Sequence, residues 1–572
     1  MNENVQLKGF LLSNKLELVE KMVDNKECVT LLDDVSNGAW YIDKRLHKFP
    51  DDEVVYSDNN TFLLLDGHID NKKELLKENL MQSWESIAFH MISRGEISKF
   101  RGGFCGVCFD NSRYQLFVDH VGNKSLYYYC QNGILVVASK LYDIIDLLKT
   151  NGLVIHVDEM AIKYLMSLGF MPDNSTVCNE IKRVCPGDIV EIGEELSIKC
   201  NSYYRPDNTK VNHNMSWKEA IEGLDFYFSQ AIDREFGKDI EYGYRHLVDL
   251  SGGLDSRMTS VVANELGYTD QINIAYCQKG YLDYKIAQEI ACDMKHKFIF
   301  MPLDDFKWFK DVEINSKMLN SAVPYAGATG ARHMLDIIKG CNCGIEHTGM
   351  VGDAIIGTFY SDEQYNYSKP DGMENAYSTS LNYNVPKEVL NEFLNREQFS
   401  IYTRGLLGAQ SSYMLRQNYF ETASPFLDVD FLDFILSVPF NYRVKHKIYL
   451  AWIASKYPIA TRYGWEKWHG AKPTERGRKL EKKAYQLKYS ISAKLSSVLP
   501  LHIGMTPVDY WLNSNPDIEE YINNYFENAI SFCSEVISKE LYDDMVRLYK
   551  TGNVGEKEQV LTASAAIKMM FE

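Results

Sequence analysis

No run among the 572 residues approaches the length of a membrane span. The opening stretch MNENVQLKGFLLSNKLE lacks a basic segment followed by an apolar core. Neither a membrane protein nor an exported one is expected, and a cytoplasmic location is. Positive charge is also scarce: 61 Lys and Arg stand against 78 Asp and Glu, for a net charge of -17. Such a field repels a polyanion, so no nucleic-acid partner is expected. Cysteine spacing that would frame disulfides is absent; the 12 cysteines are scattered and read as reduced thiols. Cys105 and Cys108 in GGFCGVCFD have no second CxxC to complete a zinc site, and their strand-like alternation makes them core residues. GxxxxGK[ST] and HExxH are missing too, which removes kinase-like phosphate loops and zinc proteases.

What is present is the composition of an ordinary folded protein, 45% hydrophobic and 24% charged, in a chain too long for one core. Up to about residue 200 the pattern is short extended segments such as TFLLLDGHID, GGFCGVCFDN and GILVVAS, with a few helices, which predicts a mostly β domain over 1–204. The polar, turn-rich YYRPDNTKVNHNMS predicts a linker at 205–215. From 216 to 572 strands and helices alternate (HLVDL, RMTSVVANELG, QINIAYC, DYKIAQEIACDMK), which predicts a parallel α/β sheet, and the chain beyond about 375 reads as largely helical.

The stretch HLVDLSGGLDSRM carries the most chemistry. A strand, a glycine-rich loop and a helix in that order put exposed N–H groups and the positive end of a helix dipole at one point, a place suited to phosphate. Gly252 and Gly253 permit close approach, and Ser251 and Ser256 add hydroxyls. Asp255 would repel phosphate unless a divalent cation stood between them, which points to a Mg-nucleotide.

SGGLDS resembles the pyrophosphate-binding loop of the ATP pyrophosphatase superfamily, and the loop alone does not choose among its members. Further segments do. LLLDGHIDNKKELL resembles the NGEIYNYxEL segment of asparagine synthetases, RGGFCGVCFDNSRYQLFVDHVGNKSLYYY their LxGxFAFxxxD…RDxxGxKPLYY, and EIKRVCPGDIVEI their IxxLPPGHxL. HTGMVGDAIIG lies where the family has SGEGxDELFG, and YFETASPFLDVDFLDFILSVP where it has SxExRxPFLDxxLxExxxxLP. The chain is thus similar to asparagine synthetases, in order, over residues 1 to about 475. That resemblance implies an α/β multidomain fold: an N-terminal Ntn-hydrolase-like αββα sandwich, then a parallel-sheet ATP-pyrophosphatase domain with a helical C-terminal part. It implies ATP and Mg²⁺, and attack of a substrate carboxylate on the α-phosphate to give an acyl-adenylate that an amine captures. Carried onto this chain, Ser251, Gly252, Gly253, Asp255 and Ser256 would hold pyrophosphate, Asp255 and Asp353 would ligate Mg²⁺, and Leu250, Ile274 and Gly349 would line the nucleotide.

The sequence also departs from the family. Its glutaminases need cysteine as residue 2, freed by loss of Met1; here residue 2 is Asn2 and the first cysteine is Cys28, so glutamine hydrolysis is not expected. Met350 stands for the GEGxD glutamate, and Ser424 is read as standing for the ExRxPFLD arginine. Glu421 persists, next to an aromatic pair in a predicted helix end, where an idle acid would be costly; a substrate-orienting or base role is expected, with a structural salt bridge as the alternative. For the catalytic lysine of KxGFxxP, KWHGAKP offers Lys467 and, nearby, Lys472. The basic run RGRKLEKKAYQLK reads as a solvated helix face.

The leading expectation is an AMP-forming amide ligase that takes no ammonia from glutamine, acting on a small-molecule or peptide carboxylate. Cysteine-less relatives of this kind include β-lactam synthetases and lasso-peptide cyclases. A protein partner from the same biosynthetic cluster is a further expectation. Ammonia-dependent asparagine synthesis, a non-catalytic nucleotide-binding scaffold and a tRNA-modifying pyrophosphatase are the competing readings.

Overall fold

The computed structural model describes residues 7–22, 29–31, 39–58, 60–78, 83–110, 113–193, 196–328, 330–357, 362–374, 376–381, 383–474, 483, 487, 490 and 504–572. Asn2, Cys28 and most of the basic run at 476–488 lie outside them.

Residues up to 202 form two six-stranded antiparallel sheets. One has the spatial order 181–183, 127–131, 134–138, 9–13, 40–44, 29–31; the other runs 198–202, 188–192, 113–118, 104–110, 61–67, 54–58. Side-chain alternation sorts each strand between two cores. Phe62 and Leu64 point between the sheets, onto Phe10, Leu12 and Val137. Leu63 and Leu65 point outward, onto Trp84 and Ile87 of the helix Trp84–Ser93. The other sheet presents Leu11 and Val136 to the helices Leu141–Thr150 and Glu159–Ser167. Because helices cover both outer faces, these strands read as unbroken apolar runs such as FLLL. The result is an αββα layering. Cys105 faces the core between the sheets and Cys108 the helix layer, so this pair cannot share a ligand.

A fully parallel five-stranded sheet follows. Its strands are β1 (Arg245–Asp249), β2 (Gln271–Cys277), β3 (Lys297–Pro302), β4 (Cys343–His347) and β5 (Glu421–Ala423), in the spatial order β3-β2-β1-β4-β5. Glu421 therefore begins an edge strand, and the helix end expected there is not formed. Helix α1 (Trp217–Glu241) opens on a capping box between Ser216 and Glu219 and packs its Phe228, Ile232 and Phe236 under the sheet. Helices α2 (Asp255–Glu265) and α3 (Leu282–Asp293) follow β1 and β2. The chain turns outward in both directions from β1, so a crevice opens at the carboxyl ends of β1 and β4, where α/β sheets receive ligands.

The last four described helices are Val508–Ser514, Pro516–Val536, Lys539–Thr551 and Val554–Phe571. The final one lies against Glu159–Ser167, and Ala563, Ala566 and Ile567 share one core with Ile162, Leu165 and Leu247. The two halves of the chain are thus fused by a common apolar interior. No described helix is long and apolar enough to cross a membrane.

Candidate active site

The crevice is a cleft of about 580 Å³ lined by Leu250, Ser251 and Gly253 from the loop after β1, Asp255 and Ser256 from the first turn of α2, Ile274 and Tyr276 from β2, Gly349 from the loop after β4, Asp353 from the short helix Gly352–Ile356 that follows it, and Glu466 and Lys467. Local chemistry explains the loop's shape. The Ser256 hydroxyl accepts the Ser251 N–H at 3.0 Å and meets the Ser251 hydroxyl at 2.9 Å, while Ser251 Oγ accepts the Gly253 N–H at 3.2 Å. Gly252 is drawn back from the cleft lining, its N–H bonded to Asp283 Oδ1 at 2.6 Å. Arg257, fully buried, donates to the carbonyls of Gly252 (3.1 Å), Ala460 (2.9 Å) and Gly464 (2.5 Å). That guanidinium clamps the loop to the segment carrying Lys467.

The loop after β4 comes unusually near. A Cβ at Gly349 would fall 2.3 Å from the Ser256 nitrogen, and one at Gly352 would fall 2.7 Å from Asp255 Cγ. Only hydrogen at these positions lets Asp353 reach Asp255. The contact has an electrostatic cost: burial first, then the Asp353 carboxylate, hold Asp255 well above the usual carboxylate range, against a hydrogen bond from the Tyr449 hydroxyl at 2.9 Å. Lys467 Nζ lies 3.6 Å from Asp353 Oδ2. Two crowded carboxylates beside a phosphate-shaped loop fit a divalent cation, and Asp255 and Asp353 are the residues that would hold one.

Of the residues expected from sequence, Leu250, Ser251, Gly253, Asp255, Ser256, Ile274, Gly349, Asp353 and Lys467 lie together on the cleft. Lys472 and Glu421 do not line it. The lysines are separated by a tight turn in which the Trp465 N–H bonds the Ala471 carbonyl and the Gly470 N–H the Trp465 carbonyl, both at 2.9 Å. That turn holds Lys467 over the loop. Glu421 belongs to another structure: its Oε1 lies 2.8 Å from Lys124 Nζ, which also lies 3.2 Å from Asp66. This buried triad ties the sandwich to β5, so geometry favours the salt bridge over the substrate-orienting role. Burial opposes the charge on Lys124, yet Asp66 and Glu421 hold it well above the usual lysine range. Counted back from Pro425, the arginine's place in ExRxP is Ala423, not Ser424. The Ser424 hydroxyl donates to the Met350 carbonyl at 2.9 Å, so Ser424 contacts the departure at Met350 without being one itself.

Sequence reasoning missed several cleft residues. Asp283 opens α3 at the carboxyl edge of β2, where the topology of parallel sheets could have placed it. Burial pushes it up to about 6, with the Gly252 N–H opposing and the Glu466 charge adding. Asp249, at the end of β1, and Tyr276 both meet Arg416, which also pairs with Glu346 and stacks on Tyr413 at 4.8 Å. No local signal joins these five residues.

A family model described as a glutamine amidotransferase domain matches residues 51–204. Over 254 residues the chain is 25% identical to asparagine synthetase [glutamine-hydrolyzing] 1 of Bacillus subtilis (strain 168), covering 42% of this chain and 38% of that protein. The chain is similar to asparagine synthetases over this part of its length. The match spans little more than a third of that asparagine synthetase. Among solved structures, an allosteric regulatory enzyme of purine biosynthesis is 12% identical, with 51% of this chain and 74% of that chain covered and a TM-score of 0.23. A glutamine phosphoribosylpyrophosphate amidotransferase from B. subtilis, complexed with ADP and GMP, is 11% identical, with 47% and 77% covered and a TM-score of 0.21.

Proposed function

We propose that this chain is an ATP- and Mg²⁺-dependent amide-bond synthetase of asparagine synthetase type that does not draw ammonia from glutamine. The observation that carries the reading is the meeting of the SGGLDS loop, the Asp255/Asp353 pair and Lys467 in one cleft at the carboxyl edge of the parallel sheet. In this reaction a substrate carboxylate oxygen attacks the α-phosphorus of ATP and pyrophosphate leaves. An amine nitrogen then attacks the acyl carbon of the adenylate, AMP departs, and the amide remains. Mg²⁺, bound with the nucleotide, supplies charge neutralisation of the pyrophosphate. The Ser251 and Ser256 hydroxyls, at the N-terminus of α2, orient that pyrophosphate. Lys467, a flexible cation, meets the charge that develops on phosphorus. The Arg257 clamp keeps its turn in register with the loop.

Independence from glutamine is supported by the thiols of the sandwich. Among its described residues Cys105, Cys108, Cys130, Cys178, Cys185 and Cys200 are all pushed up by burial, Cys108 to about 12. Such thiols stay protonated and are poor nucleophiles. The test is pyrophosphate release from MgATP across a panel of small-molecule and peptide acids, with amines supplied, alongside a glutaminase assay. Acid-dependent pyrophosphate and AMP with no glutamate supports the reading. Glutamate above a heat-killed control removes its second half, and nucleotide binding without turnover for any acid favours a scaffold.

A further inference from the structure

A second cluster lies apart from the cleft, under the sheet where α1 crosses it. Asp239 from the last turn of α1, His246 from β1 and His347 from β4 converge so that one ligand atom of each lies within 4.8 Å of the others. Asp239 Oδ2 is 3.2 Å from His246 Nδ1 and 2.9 Å from His347 Nε2, and Asp239 Oδ1 accepts the Ile345 N–H at 3.0 Å. All three side chains are buried, and Phe236 stacks on the His347 ring at 3.7 Å. None of the three lines the cleft.

Without a metal this cluster is satisfied only if Glu235 carries a proton; with Glu235 ionised it is in conflict. If His347 donates from Nε2 to Asp239, its Nδ1 is a lone pair, and what faces it at 3.6 Å is Glu235 Oε2. Both atoms are buried and lack a hydrogen-bond partner. Two acceptors then confront each other in a sealed interior, where an unmet polar group is costly. A cation on Nε2 removes the conflict: the imidazole proton moves to Nδ1 and is donated to Glu235, the carboxylate–histidine–metal arrangement usual for ligating histidines. Charge closes as well, because one divalent ion balances the Asp239 and Glu235 carboxylates. The two separations from Asp239 Oδ2, 3.2 and 2.9 Å, suit it: bonds of the zinc–nitrogen and zinc–oxygen lengths in a tetrahedron put ligand atoms about 3.3 Å apart.

We propose that Asp239, His246 and His347 form a structural site for a divalent transition-metal ion of the zinc class, with Glu235 as the positioning carboxylate behind His347. The ion fastens the end of α1 to the two central strands, and a fourth position is left for a water or Asp239 Oδ1. Mixed imidazole and carboxylate donors favour zinc over magnesium or calcium. The site is independent of the ATP cleft and of the function proposed for it.

The experiment uses the full chain purified from zinc-supplemented cells, with zinc and cobalt as probes. Elemental analysis should find about one zinc per chain. A chelator should lower the melting temperature, and added zinc should restore it. Cobalt in place of zinc should give visible bands of a nitrogen and oxygen site, without the thiolate charge-transfer band of a cysteine site. Glu235→Gln discriminates most sharply. With a metal, loss of the outer carboxylate should weaken zinc about 10–100-fold. Without one, the glutamine amide would donate to the His347 lone pair, and the protein would melt as high as the wild type or higher and take up no zinc at this site. Zinc below a tenth of an equivalent (roughly, against the one expected), no chelator effect on the wild type, or a Glu235→Gln variant that melts as high as the wild type or higher and takes up no zinc would each overturn the proposal. A thiolate band that survives His246→Gln would overturn it too, by moving the metal to cysteines.

Discussion

Substituting Gly349 by alanine would put a methyl group 2.3 Å from the Ser256 nitrogen, 2.5 Å from the Asp255 carbonyl carbon and 2.9 Å from Asp255 Cβ. Non-bonded contacts relax to about 3.5–4.0 Å, so the two loops would have to part by roughly 1 Å. Two of the three obstructing atoms are backbone, and no side-chain rotation relieves them. Overpacking of this kind costs about 1–3 kcal/mol, and rigid neighbours argue for the upper half, about 2–3 kcal/mol. If the strain is released by withdrawing the segment that carries Asp353 from the segment that carries Asp255, MgATP should bind roughly 30- to 150-fold more weakly. Strain released in this way leaves the melting temperature little changed, and strain that is not released lowers it. Titration calorimetry with MgATP, pyrophosphate release and a thermal melt read the three quantities. Gly237→Ala is the control: it lies within α1, where a Cβ would meet nothing nearer than Tyr268 Oη at 3.7 Å, and it should bind MgATP normally. Wild-type affinity in Gly349→Ala would refute the claim that the two loops form one site.

Lys467→Ala should bind ATP nearly as wild type but release pyrophosphate about 10²–10³-fold more slowly, with Lys472→Ala close to normal; the reverse ranking would reassign the cation. Asp283 is raised from 3.8 to about 6, so the folded chain holds its proton more tightly than the unfolded chain does. Its contribution to stability is therefore present at low pH and is lost as pH rises from about 4 to about 6, at most about 3 kcal/mol. Asp283→Asn should flatten denaturant midpoints across that window, and an unchanged slope would contradict the shift. Lys124→Met leaves Asp66 and Glu421 buried without their cation and should destabilise the chain by about 3–5 kcal/mol in a melt at neutral pH; a loss under 1 kcal/mol, roughly the worth of a surface pair, would mean that the triad is solvated.

The layers of the fold were legible because they rest on local periodicity: FLLL and GILVV announce strands, and HLVDL followed by RMTSVVANEL announces strand, loop and helix. The loop residues came with them, since loop shape and helix dipole are neighbours in sequence. β5 was not legible. Three residues cannot display a period, and Glu421–Ala423 becomes a strand only by pairing with Ile345–His347. For the same reason an acid beside aromatic residues looked catalytic: the lysine that neutralises Glu421 lies 297 positions away. Lys467 and Lys472 could be separated only by the turn between Trp465 and Ala471, whose hydrogen bonds leave no compositional mark. His246 and His347 likewise meet through sheet order, not through spacing.

The helix Val554–Phe571 is made some 387 residues after Glu159–Ser167, the helix it covers. At about 5–20 residues per second, a ribosome needs roughly 20–80 s to bridge that interval. Throughout it, Ile162 and Leu165 have no native cover from Ala563, Ala566 and Ile567. The sandwich therefore emerges with an apolar flank that waits for Val554–Phe571 to seal it, a prolonged opening for chaperones and a reason for chains stalled before that helix to aggregate.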